Sequence, residues 1–179
     1  MILEGHLTLH RRRQEVPRLF PSLVLTQFFS LNCTICTQQS TGVVVDEEVS
    51  NTFQDFKLQK GEKLRYYIYE IKDKKTIVIS SKGERSKTYD DFVDELPESK
   101  SRYGVIDLEF ETKDGRPTSK LVFISWNPDV GSIRDKMLYS GSKEAIKSAL
   151  NGVGIHINCT DASELDFETS ILPTCQNFT

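Results

Sequence analysis

The sequence predicts an α/β domain of α+β type, with a central mixed sheet of about five strands sandwiched by helices. Apolar residues recur at helical spacing in several stretches, and runs of aromatic and β-branched residues lie between them. Gly, Pro and Asp breaks separate one kind of stretch from the other. The resulting order is helix, two strands, helix, two strands, helix, strand, helix.

The regular pattern starts at Val43. Val45, Val49, Phe53 and Phe56 share one helical face, and Asp46, Glu47 and Glu48 fill a first turn where the helix dipole favours acids. Lys60-Gly61 ends that helix. Leu64 to Ile71 reads as a strand, Lys72-Asp73-Lys74-Lys75 as a polar turn, and Thr76 to Ser80 as the next strand. Tyr89, Phe92, Val93 and Leu96 predict a short helix stopped by Pro97. Tyr103 to Thr112 and Lys120 to Trp126 are strands joined by the Asp114-Gly115 hairpin turn. Asn127-Pro128-Asp129 ends the second. Ser132 to Asp135 has capping-box form and opens a long helix to Leu150, with a kink expected at Gly141 and a stop at Asn151-Gly152. Val153, Ile155 and Ile157 alternate as a last strand. Asp161 to Glu164 resembles a further helix cap, and the helix it opens is expected to end before Pro173.

The chain of 179 residues divides into an extension over 1–40, a domain over 41–172 and a tail over 173–179. The extension holds Arg11-Arg12-Arg13 and a broken apolar stretch from Leu19 to Ile35, too interrupted to span a membrane. It reads either as a targeting segment or as an unstructured extension, including sequence upstream of the true start. Hydrophobic residues make up 37% and charged residues 27%, the balance of a soluble globular chain. The formal net charge of −3 argues against a nucleic-acid binder. The four cysteines are too few and too uneven for a disulfide framework. Cys33 and Cys36 have the spacing of half a zinc site, but no second pair completes it, so no metal is assigned. No phosphate-binding loop and no HExxH motif occur, and His6, His10 and His156 are scattered. The pairs Glu47/Glu48 and Asp90/Asp91 read as solvated helix faces. A binding module is therefore favoured over an unrelated α/β enzyme, and no cofactor is expected.

Several segments resemble the actin-depolymerising-factor/cofilin family. They are Thr41-Gly42-Val43-Val44-Val45; Leu96-Pro97-Glu98 with Arg102-Tyr103; Asp107-x-Glu109-Phe110; and Trp126-x-Pro128-Asp129. Ile133-Arg134-x-Lys136-Met137-x-Tyr139-x-x-Ser142-Lys143 and Thr160-Asp161-x-Ser163-Glu164 complete the set. The resemblance implies an actin-depolymerising-factor-homology (gelsolin-like) fold in a cytoplasmic, monomeric protein of the actin cytoskeleton. It also implies binding of monomeric and filamentous actin, filament disassembly, and acidic phosphoinositides as further partners. Non-severing regulators of the coactosin and glia-maturation-factor types share the fold and are the alternative.

By the same resemblance Thr41, Gly42, Val43, Arg134, Lys136, Met137 and Ser142 form the monomer-side contact, and Thr41 matches a phosphorylatable Ser. Arg116, Lys120 and Glu164 are the filament-side candidates. Residue physics alone reads Met137 as a core residue beside ordinary surface cations, and the family match reverses that. The chain departs from the family pattern at Thr118, where a cation is usual, and in its cation-free end from Ile171 to Thr179. Arg116, or Lys82 and Arg85, would then have to supply filament-side charge.

Overall fold

The structure, a computed structural model, describes residues 42–178. The extension over 1–40 and Thr41 lie outside the described residues. The elements are β1 (Val44–Val45), α1 (Glu47–Lys57), β2 (Leu64–Lys72), β3 (Thr76–Glu84), α2 (Tyr89–Asp94), β4 (Arg102–Glu111) and β5 (Pro117–Trp126). They continue through α3 (Ile133–Ala149), β6 (Ile155–Cys159), a 3₁₀ turn (Ala162–Leu165), a π-helical turn (Phe167–Ile171) and α4 (Leu172–Asn177).

The strands form one six-stranded sheet in the order β1-β3-β2-β4-β5-β6. The four central strands pair antiparallel, while β1 on β3 and β6 on β5 are parallel, so the sheet is mixed as expected. α3 supplies the crossover that the parallel β5–β6 pair requires. The sixth strand is β1, two residues long. Its Val45 leads into the helix rather than belonging to it, because Asp46 is the N-cap and accepts from the Glu48 N–H at 2.9 Å.

Strand alternation divides the core into two layers. Tyr67, Tyr69, Tyr103, Val105 and Phe123 meet Val49, Phe53 and Phe56 of α1 and Tyr139 and Ile146 of α3. Tyr66, Ile68, Ile106, Val122, Ile124 and Trp126 meet Phe92 of α2 together with Leu165, Ile171 and Cys175. Gly104 keeps the second layer close: a Cβ there would stand 2.5 Å from the Phe92 ring. Burying large side chains on both faces of each central strand supplies most of the driving force, at about 1.5–3 kcal/mol per fully buried side chain.

α3 is one helix through Gly141, with a buried stripe of Tyr139, Ser142, Ala145 and Ile146 on the sheet. Three local expectations are corrected. Ser132 is the N-cap of α3 but makes no side-chain cap bond. The capping box lies instead at α2, where Thr88 and Asp91 bond reciprocally, so Asp91 is a cap rather than a freely solvated acid. The chain does not leave helix at Pro173, which sits in the first turn of α4, where a missing N–H costs nothing. Asp161 does cap, but it caps the 3₁₀ turn, accepting from the Ser163 N–H at 3.0 Å.

Candidate partner-binding face

α3 carries apolar residues on opposite sides. The inner stripe packs on the sheet and is pinned by polar bonds at its centre. The Ser142 hydroxyl donates to the Leu138 carbonyl at 2.7 Å and lies 2.9 Å from the Tyr103 hydroxyl. Tyr103 in turn donates to the Tyr139 carbonyl. The Tyr139 hydroxyl accepts from the Ile71 N–H at 2.9 Å, which ties α3 to β2. Burial drives the Tyr103 phenol well above its ordinary pKa, so it remains a neutral donor. These bonds fix the rotation of α3 and with it the direction of the outer residues.

On the outer side Ile133 is 76% exposed and Met137, one turn later, 70% exposed, with Val130 at 79% in the preceding loop. Branched and thioether side chains left in water at i, i+4 form a ridge suited to a partner's groove. Arg134 is exposed beside that ridge and makes no ion pair among the described residues. Lys136 is held differently, its ammonium 2.6 Å from Asp129 with the side chain 27% exposed. The two cations are therefore unequal: one is free and one is anchored to the loop before the helix.

The N-terminal segment lies against α3 through β1. Gly42 is exposed at φ +67°, a left-handed conformation suited to glycine. Val43 is fully buried among the residues beneath α1, and Val44 faces solvent. Two of the expected contact residues, Val43 and Ser142, are buried in the domain, next in sequence to exposed Gly42 and Val44 and within the α3 stripe opposite Met137. Ile133 and Val130 extend this surface beyond the contact residues the resemblance implies; Ile133 sits one turn before Met137 and off the Tyr139–Ser142–Ile146 stripe.

The filament-side candidates lie elsewhere. Arg116 and Lys120 are exposed at the β4–β5 hairpin. Glu164 is exposed, but its carboxylate accepts from the Thr160 N–H at 2.6 Å and hydroxyl at 3.1 Å, so it closes a local turn. Arg85 cannot serve as a free cation, since it bonds Asp107 at 2.5 Å and also Glu109. Lys82 is 3.7 Å from Glu62. α4 has no basic residue in its last turn, and its end holds the hairpin: Gln176 donates to the Glu111 carbonyl at 2.8 Å, and Lys113 donates to the Asn177 side-chain oxygen at 2.7 Å.

His156 is exposed and makes a T-shaped ring contact with Phe123. Among the described residues, no group of three or more His, Cys, Asp or Glu converges as a metal site requires. None of their helices is long and apolar enough to cross a membrane.

A mixed sheet carrying a rigid helix with an unpartnered apolar ridge and flanking cations defines a docking domain. The family model for cofilin/tropomyosin-type actin-binding proteins matches residues 42–171, and the chain belongs to that family. It is 40% identical over 130 residues to a cofilin of Mycosarcoma maydis, covering 73% of this chain and 92% of that relative. It is 43% identical over 130 residues to actin-depolymerizing factor 11 of Oryza sativa subsp. japonica, covering 72% and 88%. The crystal structure of Streptomyces griseoflavus cofilin superposes with a TM-score of 0.68 at 34% identity, covering 76% of this chain and 98% of that one.

Proposed function

We propose that this protein binds monomeric and filamentous actin and promotes filament disassembly, acting as a binding module rather than an enzyme in the cytoplasm. The observation that carries this reading is the exposed ridge of Ile133 and Met137, flanked by Arg134 and presented beside Gly42 and Val44. Such a ridge gains by burial in a hydrophobic cleft, and the cations select a cleft with an acidic rim. Contact with the monomer is the stronger half of the proposal. On the filament side Arg116 and Lys120 stand without help from α4. A phosphate at Thr41, one residue before Gly42, would add about −1.5 to −2 charges near Asp46, Glu47 and Glu48 and weaken docking on an acidic partner.

A fluorescent-monomer titration run beside a pyrene-actin disassembly assay tests the proposal. Saturable monomer binding that falls in an Arg134→Ala/Lys136→Ala variant, with the melting temperature preserved, is the expected result. Monomer affinity unchanged in that variant would remove Arg134 and Lys136 from the site.

A further inference from the structure

We propose that the β2–β3 turn, Lys72 to Lys75, together with Lys100, forms a second, basic half of the partner-binding face, docking an acidic stretch of the same partner; this rests on the actin reading above. Three segments converge at the first two turns of α3. The Val44 N–H donates to the Lys75 carbonyl at 2.8 Å, which sets the turn beside the exposed N-terminal segment. Ile71, immediately before the turn, donates to Tyr139 of α3. A depression of about 290 Å³ runs between them, and its lining includes Asp73, Lys74, Lys100, Arg102, Asp135 and Leu138. The turn therefore adjoins the exposed N-terminal segment, and the depression extends from it to Asp135 and Leu138 of α3.

The charge is concentrated there. Lys72, Lys74, Lys75 and Lys100 are all exposed, and none makes an ion pair among the described residues. Lys57, Lys60, Lys63, Lys113, Lys120 and Lys143 likewise make no ion pair among the described residues, and what sets these four apart is their grouping: three stand in one four-residue turn, and Lys100 lines the same depression as Lys74. Of the four, Lys74 and Lys100 line the depression together with Asp73 and Asp135, and Arg102 there is paired with Glu70 at 2.9 Å. A domain whose whole chain carries a net charge of −3 thus keeps a basic cluster beside the exposed N-terminal segment of its docking face. Such a cluster steers an acidic partner into register before the apolar contacts form.

The backbone agrees. Asp73 and Lys74 take φ of +50° and +58°, successive left-handed residues in a hairpin turn where Asn-Gly would be unstrained. Lysine at the second position is a poor choice for the turn alone, and a position held against local preference points to surface function.

The test is stopped-flow association with monomeric actin over a range of salt, comparing the full chain with a Lys72→Ala/Lys74→Ala/Lys75→Ala/Lys100→Ala variant and with Met137→Ala. The quadruple variant is expected to associate about tenfold more slowly at low salt, with a flatter salt dependence and an unchanged melting temperature. Lys74→Gly, which suits the left-handed φ, is expected to keep the fold and still slow association about twofold. Unchanged association rate and salt slope in the quadruple variant, with Met137→Ala weakened, would overturn the lysine face and leave the α3 reading standing. Loss of binding to phosphatidylinositol-bisphosphate vesicles with actin kinetics intact would overturn it too, assigning the lysines to a lipid surface. A full chain that binds no actin would overturn both readings together.

Discussion

Replacing Ile133 and Met137 together with alanine separates docking from folding. Both side chains stand in water in the free domain, at 76% and 70% exposure, so folding gains little from them. Full burial of such a side chain is worth about 1.5–3 kcal/mol, and the exposed fractions scale this to about 1–2 kcal/mol each if a partner covers them. Together they contribute about 2–4 kcal/mol, so the double variant should bind actin monomer about 30-fold more weakly even at the lower figure. Alanine is the better helix former, so thermal unfolding should stay level or rise slightly. Titration of labelled monomer, with circular-dichroism melting of the same sample, reads both quantities. Affinity within threefold of the parent would refute the ridge as the docking element, and a large fall in melting temperature would show that the two residues serve the fold.

Other expectations concern the interior. Tyr69 is fully buried and its hydroxyl has no hydrogen-bond partner among the described residues, so Tyr69→Phe should leave stability unchanged or raise it by about 1 kcal/mol in urea unfolding. Arg85→Ala strips the buried Asp107 carboxylate of its cation and should cost about 1–3 kcal/mol, and Arg85→Lys should recover only part of that in the same assay. Burial pushes the Cys159 thiol up to about 12 and the Cys175 thiol up to about 11. With Cys33 and Cys36 replaced by serine, neither should react quickly with a thiol reagent at pH 8 until urea is added. Both thiols are neutral in either state below about pH 8, and above about pH 9 the unfolded thiols ionise first, so stability should decline as pH rises toward 11.

Long periodic segments were legible in the sequence because both faces of the sheet need cover. The aromatic and β-branched runs of β2 and β4, buried on both faces, and the stripe of α3 each carry many residues that agree. β1 was not legible: two residues have no period, and its parallel partner β3 lies far along the chain. Pro173 misled because proline breaks a helix interior but not a first turn, and nothing local says where α4 begins. In the candidate face, the exposure of Arg134 and Met137 agrees with the place the family motif gives them. Val43 and Ser142, from the same motif, are buried, and burial depends on packing that a motif alone does not show. The free or paired state of each cation depends on residues brought in from elsewhere. Arg85 meets Asp107 and Glu109 of β4, and no spacing in the sequence announces that.

The grip of Gln176 and Asn177 on the β4–β5 hairpin bears on how the protein can be labelled. A fluorescent protein joined after α4 would hang from the residues that hold Glu111 and Lys113, a few positions from Arg116. Its drag would be felt at the hairpin first, and filament assays with such a fusion would report the tag's tug as much as the domain's own behaviour. A small dye on a cysteine placed at exposed Gln54 or Asp55 of α1, on the layer away from α4, leaves the hairpin untouched.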